Sequence, residues 1–466
     1  MSTPAQTLPA RSTGLRRAAP WLAGAFTIII ACLLLPRIGI TDVDAESYFL
    51  GARSLAQGRG YVDDFGIHLN HWPPGYSWLL SWWADPKPAA LVINIICLGA
   101  AVALSAALAL RNGWSLLQGL SVSLVLGFGL FLNIAGFAKP DILNYTVCLA
   151  AVLIYGSGSF AGRVAGSILC SVLIPIKMIA VTFAPALLLA ELIELGFRPF
   201  FRSRWREVII AGLAWAACLG WLLWYNARTL QQAAPETHIP ATLHTVLGEA
   251  WMFCQSFFRE GLATWYGSIR PLPVLLPFAL VVVLGLACVA SLRRGQSWSF
   301  LFKAGAAMLA LSWAMEFYRD YGAGPRLMGY GMLFMMIGAR PLIQSTPLWA
   351  AYAAATIIFA IANHLTTGML GLNHPAYETA AKEAAARLPP DTIVYTNAWR
   401  LLEIHAEHRS VSTTDLASLP PGSWYWRVSL PNFDAIMRPV ADPPVMDASW
   451  KEQARLSSGT LYRRLP

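Results

Sequence analysis

Eleven long apolar blocks separated by polar loops constrain this chain more than any other sequence feature. Most of them approach the roughly 20 residues that an α-helix needs to cross the hydrocarbon core of a bilayer. The chain is 56% hydrophobic and only 13% charged, whereas soluble domains are about one quarter charged. A soluble multidomain enzyme, a disordered chain and a fibrous chain are therefore excluded, and an all-α polytopic membrane protein is predicted. The blocks lie at 20–36, 89–110, 115–134, 142–157, 164–178, 179–195, 208–225, 272–292, 300–316, 327–343 and 349–370.

Two of these blocks allow more than one interpretation. The first follows three arginines and resembles a signal peptide, but no small-residue cleavage site comes after it, so we expect an uncleaved first span. The blocks at 164–178 and 179–195 are short and meet at Pro175 and Lys177. They fit either two crossings or one broken helix pair. Counting them as two gives about eleven transmembrane helices.

The distribution of basic residues predicts the orientation. With the N-terminus inside, the predicted inner segments hold 13 Lys and Arg in 63 residues, and the predicted outer loops hold 10 in 114. This bias follows the positive-inside rule and places the N-terminal tail, residues 1–19, in the cytoplasm. The net charge of +9 is then explained by topology and anionic lipid, and no nucleic-acid partner is predicted. Seven dispersed cysteines predict neither a disulfide framework nor a metal site.

The composition changes after the last apolar block. A helix is predicted at 376–388, a strand at 392–396, a second helix at 399–406 and a second strand at 424–430. We therefore expect a membrane domain over residues 20–372, with outer loops at 37–88 and 226–271, and a small extracytoplasmic α/β domain over 373–466. The 226–271 loop carries an apolar stripe that predicts a helix on the outer surface.

The first outer loop gathers the acidic residues Asp42, Asp44 and Glu46 just beyond the first span. Helical spacing predicts an amphipathic helix over 45–57 that lies on the membrane, ended by Gly58 and Gly60. His71 precedes a rigid Pro-Pro-Gly turn. Carboxylates at this surface can reach both a lipid head group in the bilayer and a hydroxyl group that arrives from the aqueous side.

This loop resembles a known family. It contains D-x-x-x-Y, then A-R-S-L-x-x-G-x-G-Y, then x-P-P-G-Y, and these motifs are similar to the first luminal loop of GT-C glycosyltransferases. The family 39-like bacterial enzymes, related to protein O-mannosyltransferases and lipid A aminoarabinose transferases, are the nearest pattern. The family commonly has Asp-Glu where this chain has Asp44-Ala45, with Glu46 one position later. Asp44 fits the spacing to Tyr48 best, and the choice among Asp42, Asp44 and Glu46 stays open.

The resemblance implies a reaction and roles for individual residues. Enzymes of this class move a sugar from a polyprenyl-phosphate carrier to an acceptor hydroxyl with inversion. A fixed carboxylate suits the general base, and fixed cations suit the departing phosphate. The resemblance makes Asp44 the base. It makes Lys177 and Arg326 the first phosphate contacts and Lys139 the third, and it gives Asp141 the task of orienting the acceptor or the base. Tyr48 and His71 complete the candidate substrate-binding residues, with interface anchoring and packing as competing roles.

The resemblance also implies partners and a location. The expected partners are a polyprenyl-phosphate sugar donor, membrane lipid, and a glycan, lipid or protein acceptor. No organic cofactor is expected, and the need for a divalent cation is left open. The expected location is a bacterial inner membrane. Two alternatives remain at this stage: a transporter or flippase for a lipid-linked sugar, and a scaffold without catalysis.

Overall fold

Each apolar block that the structure describes forms a helix, because backbone polar groups inside a bilayer must be paired within their own segment. The computed structural model describes residues 11–35, 43–63, 66, 68–69, 72–136, 139–230, 299–318, 325–338, 346–367, 375–397, 402, 406, 408–413, 415–429, 444–457 and 459–466. The 226–271 loop lies almost wholly outside these residues, so its predicted helix stays a prediction.

Fourteen helices are named here in chain order. They are α1 (Arg11–Leu34), α2 (Val43–Ala56), α3 (Gly75–Leu80), α4 (Pro86–Arg111), α5 (Leu116–Val125), α6 (Leu132–Ala135), α7 (Asp141–Tyr155), α8 (Phe160–Val172), α9 (Phe183–Leu195), α10 (Phe197–Leu230), α11 (Phe300–Tyr318), α12 (Pro325–Gly338), α13 (Thr346–Thr367) and α14 (Pro375–Ala385). A π-helical stretch, Leu126–Phe131, joins α5 to α6, and a short 3-10 helix, Met178–Thr182, leads into α9.

Local sequence signals set several of these boundaries. Asp85 caps α4 by accepting a hydrogen bond from the Lys87 backbone amide at 3.0 Å, with Pro86 in the first turn. Ser115 and Gln118 form a reciprocal capping box at the start of α5. Gly196, with a φ of +79°, ends α9 in a backbone conformation that favours glycine.

Four described helices are long and apolar enough to cross a membrane, judged by length and composition alone: Gly14–Leu34, Pro86–Arg111, Met178–Leu195 and Phe197–Ala227. Shorter apolar helices occupy six more of the predicted spans, and the predicted span at 272–292 lies outside the described residues. A multi-pass helical chain is therefore supported, while the count of eleven stays a prediction.

Close glycine contacts bring pairs of these helices together. A Cβ atom on Gly24 of α1 would lie 2.6 Å from the Gly99 carbonyl oxygen of α4, so neither glycine can be enlarged without moving a helix. Gly305 of α11 and Gly331 of α12 repeat this arrangement, with a Cβ on Gly305 2.5 Å from the Gly331 oxygen. Small residues at such crossings are the usual means of packing helices in membranes.

Helices α8 and α9 form a hairpin whose turn, residues 173–177, is the meeting point of two predicted short blocks. The chain therefore makes two helices here, and the choice between two crossings and one broken helix pair stays open. The ends of the hairpin away from the turn carry a buried ionic network. Arg163 pairs with Glu207 at 2.8 Å, and Arg204 pairs with Glu191 at 3.3 Å. The Tyr155 hydroxyl donates a hydrogen bond to Glu191 at 2.8 Å.

The loop helix α2 confirms the predicted helix, with its end at Gly58 in a left-handed conformation (φ +72°). Its burial differs from that of the predicted amphipathic surface helix, and its position relative to the membrane stays a prediction. Residues all around the helix are buried by protein, because α3 and α4 pack against it: Ala45, Ser47, Tyr48, Phe49, Leu50, Ala52 and Ser54 are each at most 3% exposed. The helix is thus part of the folded body and not an amphipathic surface segment.

The C-terminal segment forms a five-stranded mixed sheet with the order β2-β1-β3-β5-β4. Its strands are β1 (Val394–Thr396), β2 (Ser410–Ser412), β3 (Trp424–Val428), β4 (Trp450–Leu456) and β5 (Gly459–Arg464). β1 is parallel to β2 and β3, whereas β5 is antiparallel to β3 and β4. Helix α14 covers the sheet through Ala380, Ala381 and Ala384. The predicted α/β character is confirmed, and most of the predicted 399–406 helix lies outside the described residues.

Candidate functional site

The first loop is fixed in place by contacts between α2 and α3. The Tyr48 and Tyr76 rings meet edge to face with centroids 5.3 Å apart, and the Ser77 hydroxyl donates a hydrogen bond to the Tyr48 carbonyl oxygen at 2.9 Å. Burial of the Tyr76 phenol, followed by the charges of Cys97 and Asp141, raises its pKa above the ordinary value. Leu143 of α7 packs against the same cluster as Tyr48 and Tyr76, so these rings lie near the start of α7.

Helix α3 in turn contacts the turn between α8 and α9. The Gly75 amide donates a hydrogen bond to the Pro175 carbonyl oxygen at 2.8 Å. A Cβ atom at Gly75 would lie 2.6 Å from that oxygen, so only glycine permits this approach. Leu143 and Ile176 pack against the same apolar cluster as Tyr48. The loop helices therefore lie directly against the residues next to Asp141 and Lys177.

Asp141 and Lys177 form a buried ion pair at this position. The Lys177 ammonium contacts the Asp141 Oδ1 oxygen, and the two side chains are 13% and 1% exposed. Asp141 lies in the first turn of α7, where the positive end of the helix dipole favours a carboxylate. Lys177 lies in the α8–α9 turn, whose backbone is held by the Lys177 amide donating to the Leu173 carbonyl oxygen at 2.8 Å. Two distant segments thus place opposite charges in one apolar surrounding.

Helix α12 is tied to the same place by Tyr330. Its ring stacks on Tyr145 with centroids 3.8 Å apart and an interplanar angle of 6°. Its hydroxyl donates to the Asp141 backbone oxygen at 3.4 Å. Asn144, fully buried one turn after Asp141, lies beside this hydroxyl. The first turn of α12, which contains Arg326, comes one helical turn before Tyr330.

The structure brings three of the predicted residues into one neighbourhood: Tyr48, Asp141 and Lys177. Lys139, two positions before Asp141, is also buried, with 5% exposure. Tyr48 occupies a packing position against Tyr76 rather than an open surface.

The structure describes less of the other predicted residues. Asp44 and Glu46 lie in α2, and Arg326 lies in α12, but their side chains are outside the described part. Asp42 and His71 lie outside the described residues altogether. Their predicted roles stay predictions.

Sequence reasoning missed three residues of this neighbourhood. Tyr76 belongs to the x-P-P-G-Y motif, so the motif itself could have indicated it. Asn144 follows Asp141 at a spacing of three, which places the two on one helix face. Tyr330 has no local signal, because its role depends on contacts with α7 and α9, including the Phe183 ring at 4.7 Å.

Comparisons with known proteins agree with this description at the level of the fold. No family model and no curated protein matches the sequence. Solved structures do match: ArnT from Cupriavidus metallidurans bound to undecaprenyl phosphate aligns with a TM-score of 0.52 at 13% identity, over 95% of this chain and 97% of that one. The apo form of the same protein aligns with a TM-score of 0.50 at 14% identity, over 97% and 98% of the two chains. The chain therefore shares the fold of these structures, and the predicted resemblance is confirmed at the level of the fold.

Proposed function

We propose that this chain is a membrane glycosyltransferase of GT-C type that moves a sugar from a polyprenyl-phosphate donor to an acceptor hydroxyl with inversion. One observation carries the proposal: the largely buried Lys177–Asp141 ion pair lies between segments whose neighbouring residues, Ile176 and Leu143, pack against the first-loop helices. It does so in a fold shared with ArnT, whose solved complex holds undecaprenyl phosphate. A lysine in an apolar surrounding, in a turn that accepts a hydrogen bond from the first loop, suits a lipid-linked anion.

On the donor side, the bond from the anomeric carbon to the phosphate oxygen breaks, and its electron pair stays on the phosphate. Lys177 stabilises the growing negative charge, because a fixed cation in a site without water acts strongly on it. Lys139 and Arg326 are the proposed additional phosphate contacts. Lys139 is supported by its buried position close to Asp141, and Arg326 by the attachment of α12 to Asp141 through Tyr330.

On the acceptor side, a hydroxyl oxygen forms the new bond to the anomeric carbon, and its proton passes to a carboxylate. Asp44 is the proposed general base, with Asp42 and Glu46 as the other candidates. The proposal is supported by the packing of α2, since Ala45, next to Asp44, belongs to the cluster that contains Ile176. The reaction needs no organic cofactor, because phosphate is already a competent leaving group once its charge is stabilised.

The proposal places the first loop and the C-terminal domain on the same, extracytoplasmic face of a bacterial inner membrane. The distribution of basic residues along the chain supports a common face. A glycan, lipid or protein acceptor would then reach the site from the aqueous side, between the loop and the small domain.

The test uses the full-length protein in nanodiscs with a set of undecaprenyl-phosphate sugars, and it measures release of undecaprenyl phosphate. The acceptor fraction comes from cell envelopes, and mass spectrometry of envelope glycolipids with and without the gene identifies the product. Asp44→Asn should lower the transfer rate about a hundredfold or more, which is the range of general-base contributions. Asp42→Asn and Glu46→Gln are the matched controls and should retain most of the rate.

Three results would count against the proposal. Full activity in all three carboxylate variants would exclude a base in this loop. Movement of an intact donor across the bilayer without release of phosphate would identify a transporter. Wild-type protein that binds donor but never cleaves it would identify a scaffold.

A further inference from the structure

Lys177 has a partner before any ligand arrives. Its ammonium group contacts Asp141, and both side chains are buried in an apolar part of the protein. A buried charge that loses its partner is strongly disfavoured. A phosphate group that binds Lys177 must therefore lie close to the Asp141 carboxylate, which already contacts this lysine.

We propose that Asp141 is a built-in competitor of the lipid phosphate: it restrains Lys177 in the empty site and drives the phosphate product out after transfer. The inference rests on the function proposed above. Asp141 acts through Lys177 and through its own charge, so it is a positioning residue rather than a catalytic one.

Asp141 would compete with the phosphate for Lys177 in either of two arrangements of the lysine ammonium group. If the ammonium turns fully to the phosphate, Asp141 loses the Lys177 contact while its side chain stays 1% exposed, which disfavours the complex. If the ammonium contacts both groups with its three donors, Asp141 and the phosphate are like charges within a few ångströms of each other. In both cases the Asp141 charge weakens phosphate binding.

The charge of the ligand changes during the proposed reaction, so competition by Asp141 affects the donor and the product differently. The donor is a phosphodiester with one negative charge. Once its bond to the sugar breaks, the product is a phosphate monoester, whose second ionisation lies at about pH 6 and gives it close to two negative charges at neutral pH. Repulsion by Asp141 is therefore greater for the product than for the donor. Release of the product returns Lys177 to Asp141 and restores the empty site.

A purely structural ion pair makes the opposite prediction. If Asp141 only held the α8–α9 turn beside α7, its removal would disorder Lys177 and weaken phosphate binding. If Asp141 competes, its removal strengthens binding. The sign of the change in affinity thus separates the two roles.

The experiment measures equilibrium binding of undecaprenyl phosphate to full-length protein in nanodiscs, for the wild type and three variants. Asp141→Asn should bind about tenfold more tightly and should be inhibited more strongly by undecaprenyl phosphate during turnover. Asp141→Glu keeps the charge and should resemble the wild type. Lys177→Met keeps the length of the side chain but not its charge and should bind at least tenfold more weakly.

Equal or weaker binding by a folded Asp141→Asn protein would overturn the inference. If that variant does not fold, the wild type still provides a test, with undecaprenyl phosphate compared against its methyl phosphodiester. Competition predicts that the monoester binds no more tightly than the diester despite its extra charge. A monoester that binds more than about tenfold tighter would reject the competitor role.

The outcomes also separate this inference from the function on which it rests. If the wild type binds no polyprenyl phosphate, the proposed function fails, and the competitor role fails with it. If the wild type binds and turns over the donor but Asp141→Asn binds no more tightly, only the competitor role fails.

Discussion

The two ends of the α8–α9 hairpin carry charge in different ways. At the end away from the turn, Arg163 and Arg204 meet Glu191 and Glu207, so that two arginines face two glutamates. At the turn, the Lys177–Asp141 pair lies next to a further buried lysine, Lys139. The first arrangement joins three helices through two cations and two anions, whereas the second joins the α8–α9 turn to the start of α7, close to the first loop.

This difference separates a structural cluster from a candidate binding site. The network joins α8, α9 and α10 through its own ion pairs, and these contacts fix the three helices. The Lys177–Asp141 pair lies close to residues that pack against the first-loop helices, where a lipid-linked anion is proposed to bind. The same hairpin therefore has one end suited to hold the fold and one end suited to hold a ligand, and mutations at the two ends should affect different measurements.

The largest effect on stability is expected at the network end. Arg163→Met removes one member of a 2.8 Å ion pair in which both side chains are at most 7% exposed, and it leaves Glu207 buried with less compensation. We expect a loss of about 3 kcal/mol in the free energy of unfolding, measured by thermal unfolding in nanodiscs, with little change in transfer rate per folded molecule. The double variant Arg163→Met/Glu207→Leu should recover at least half of the loss. A single variant as stable as the wild type would show that the network does not hold the helices.

An intermediate effect, on activity rather than stability, is expected at the turn. Gly75→Ala places a methyl group 2.6 Å from the Pro175 oxygen and so pushes α3 away from the Lys177 turn. We expect the transfer rate to fall about tenfold, equivalent to about 1.4 kcal/mol, while thermal unfolding changes little. Gly212→Ala is the matched control, because a Cβ at Gly212 meets nothing within 4 Å. An unchanged transfer rate in Gly75→Ala would show that the position of α3 against the Lys177 turn does not affect transfer.

The smallest effect is expected at the rim of the network. Lys303 and Glu194 are 3.8 Å apart, and the Glu194 side chain is 47% exposed. Lys303→Gln should cost no more than about 0.5 kcal/mol of stability, because exposed ion pairs are screened by water and salt. The measurement is again thermal unfolding, and the transfer rate should not change. A loss of stability as large as that expected for Arg163→Met would show that Lys303 and Glu194 also hold the helices together.

Some of this difference between the ends could be predicted from the sequence. The arginines at the start of α10 and the glutamates at the end of α9 are close in the sequence, and the Glu191–Arg204 pair joins these two regions. Glu194 pairs instead with Lys303 of α11. Charge density along the chain identifies a charged region, but it does not select partners, because that depends on which helices become neighbours.

The ion pair at the turn was harder to predict from the sequence. Asp141 and Lys177 were both candidates, but with separate roles, since they are 36 residues apart and no local pattern links them. The spacing in α2 predicted a helix correctly and its burial wrongly, because an apolar stripe does not reveal what covers the other face. The strands β4 and β5 were missed because β4 is mostly exposed and shows no alternation of apolar residues.

The hydrogen bond from Gly75 to Pro175 has a consequence for how the protein is made. The loop that contains Gly75 leaves the ribosome roughly a hundred residues before Pro175, which at about 5–20 residues per second is a delay of about 5–20 seconds. During that interval α3 lacks the surface on which it finally rests. The loop therefore completes its packing only after α8 and α9 have been inserted, so that the site is assembled late in synthesis although its first residues are translated early.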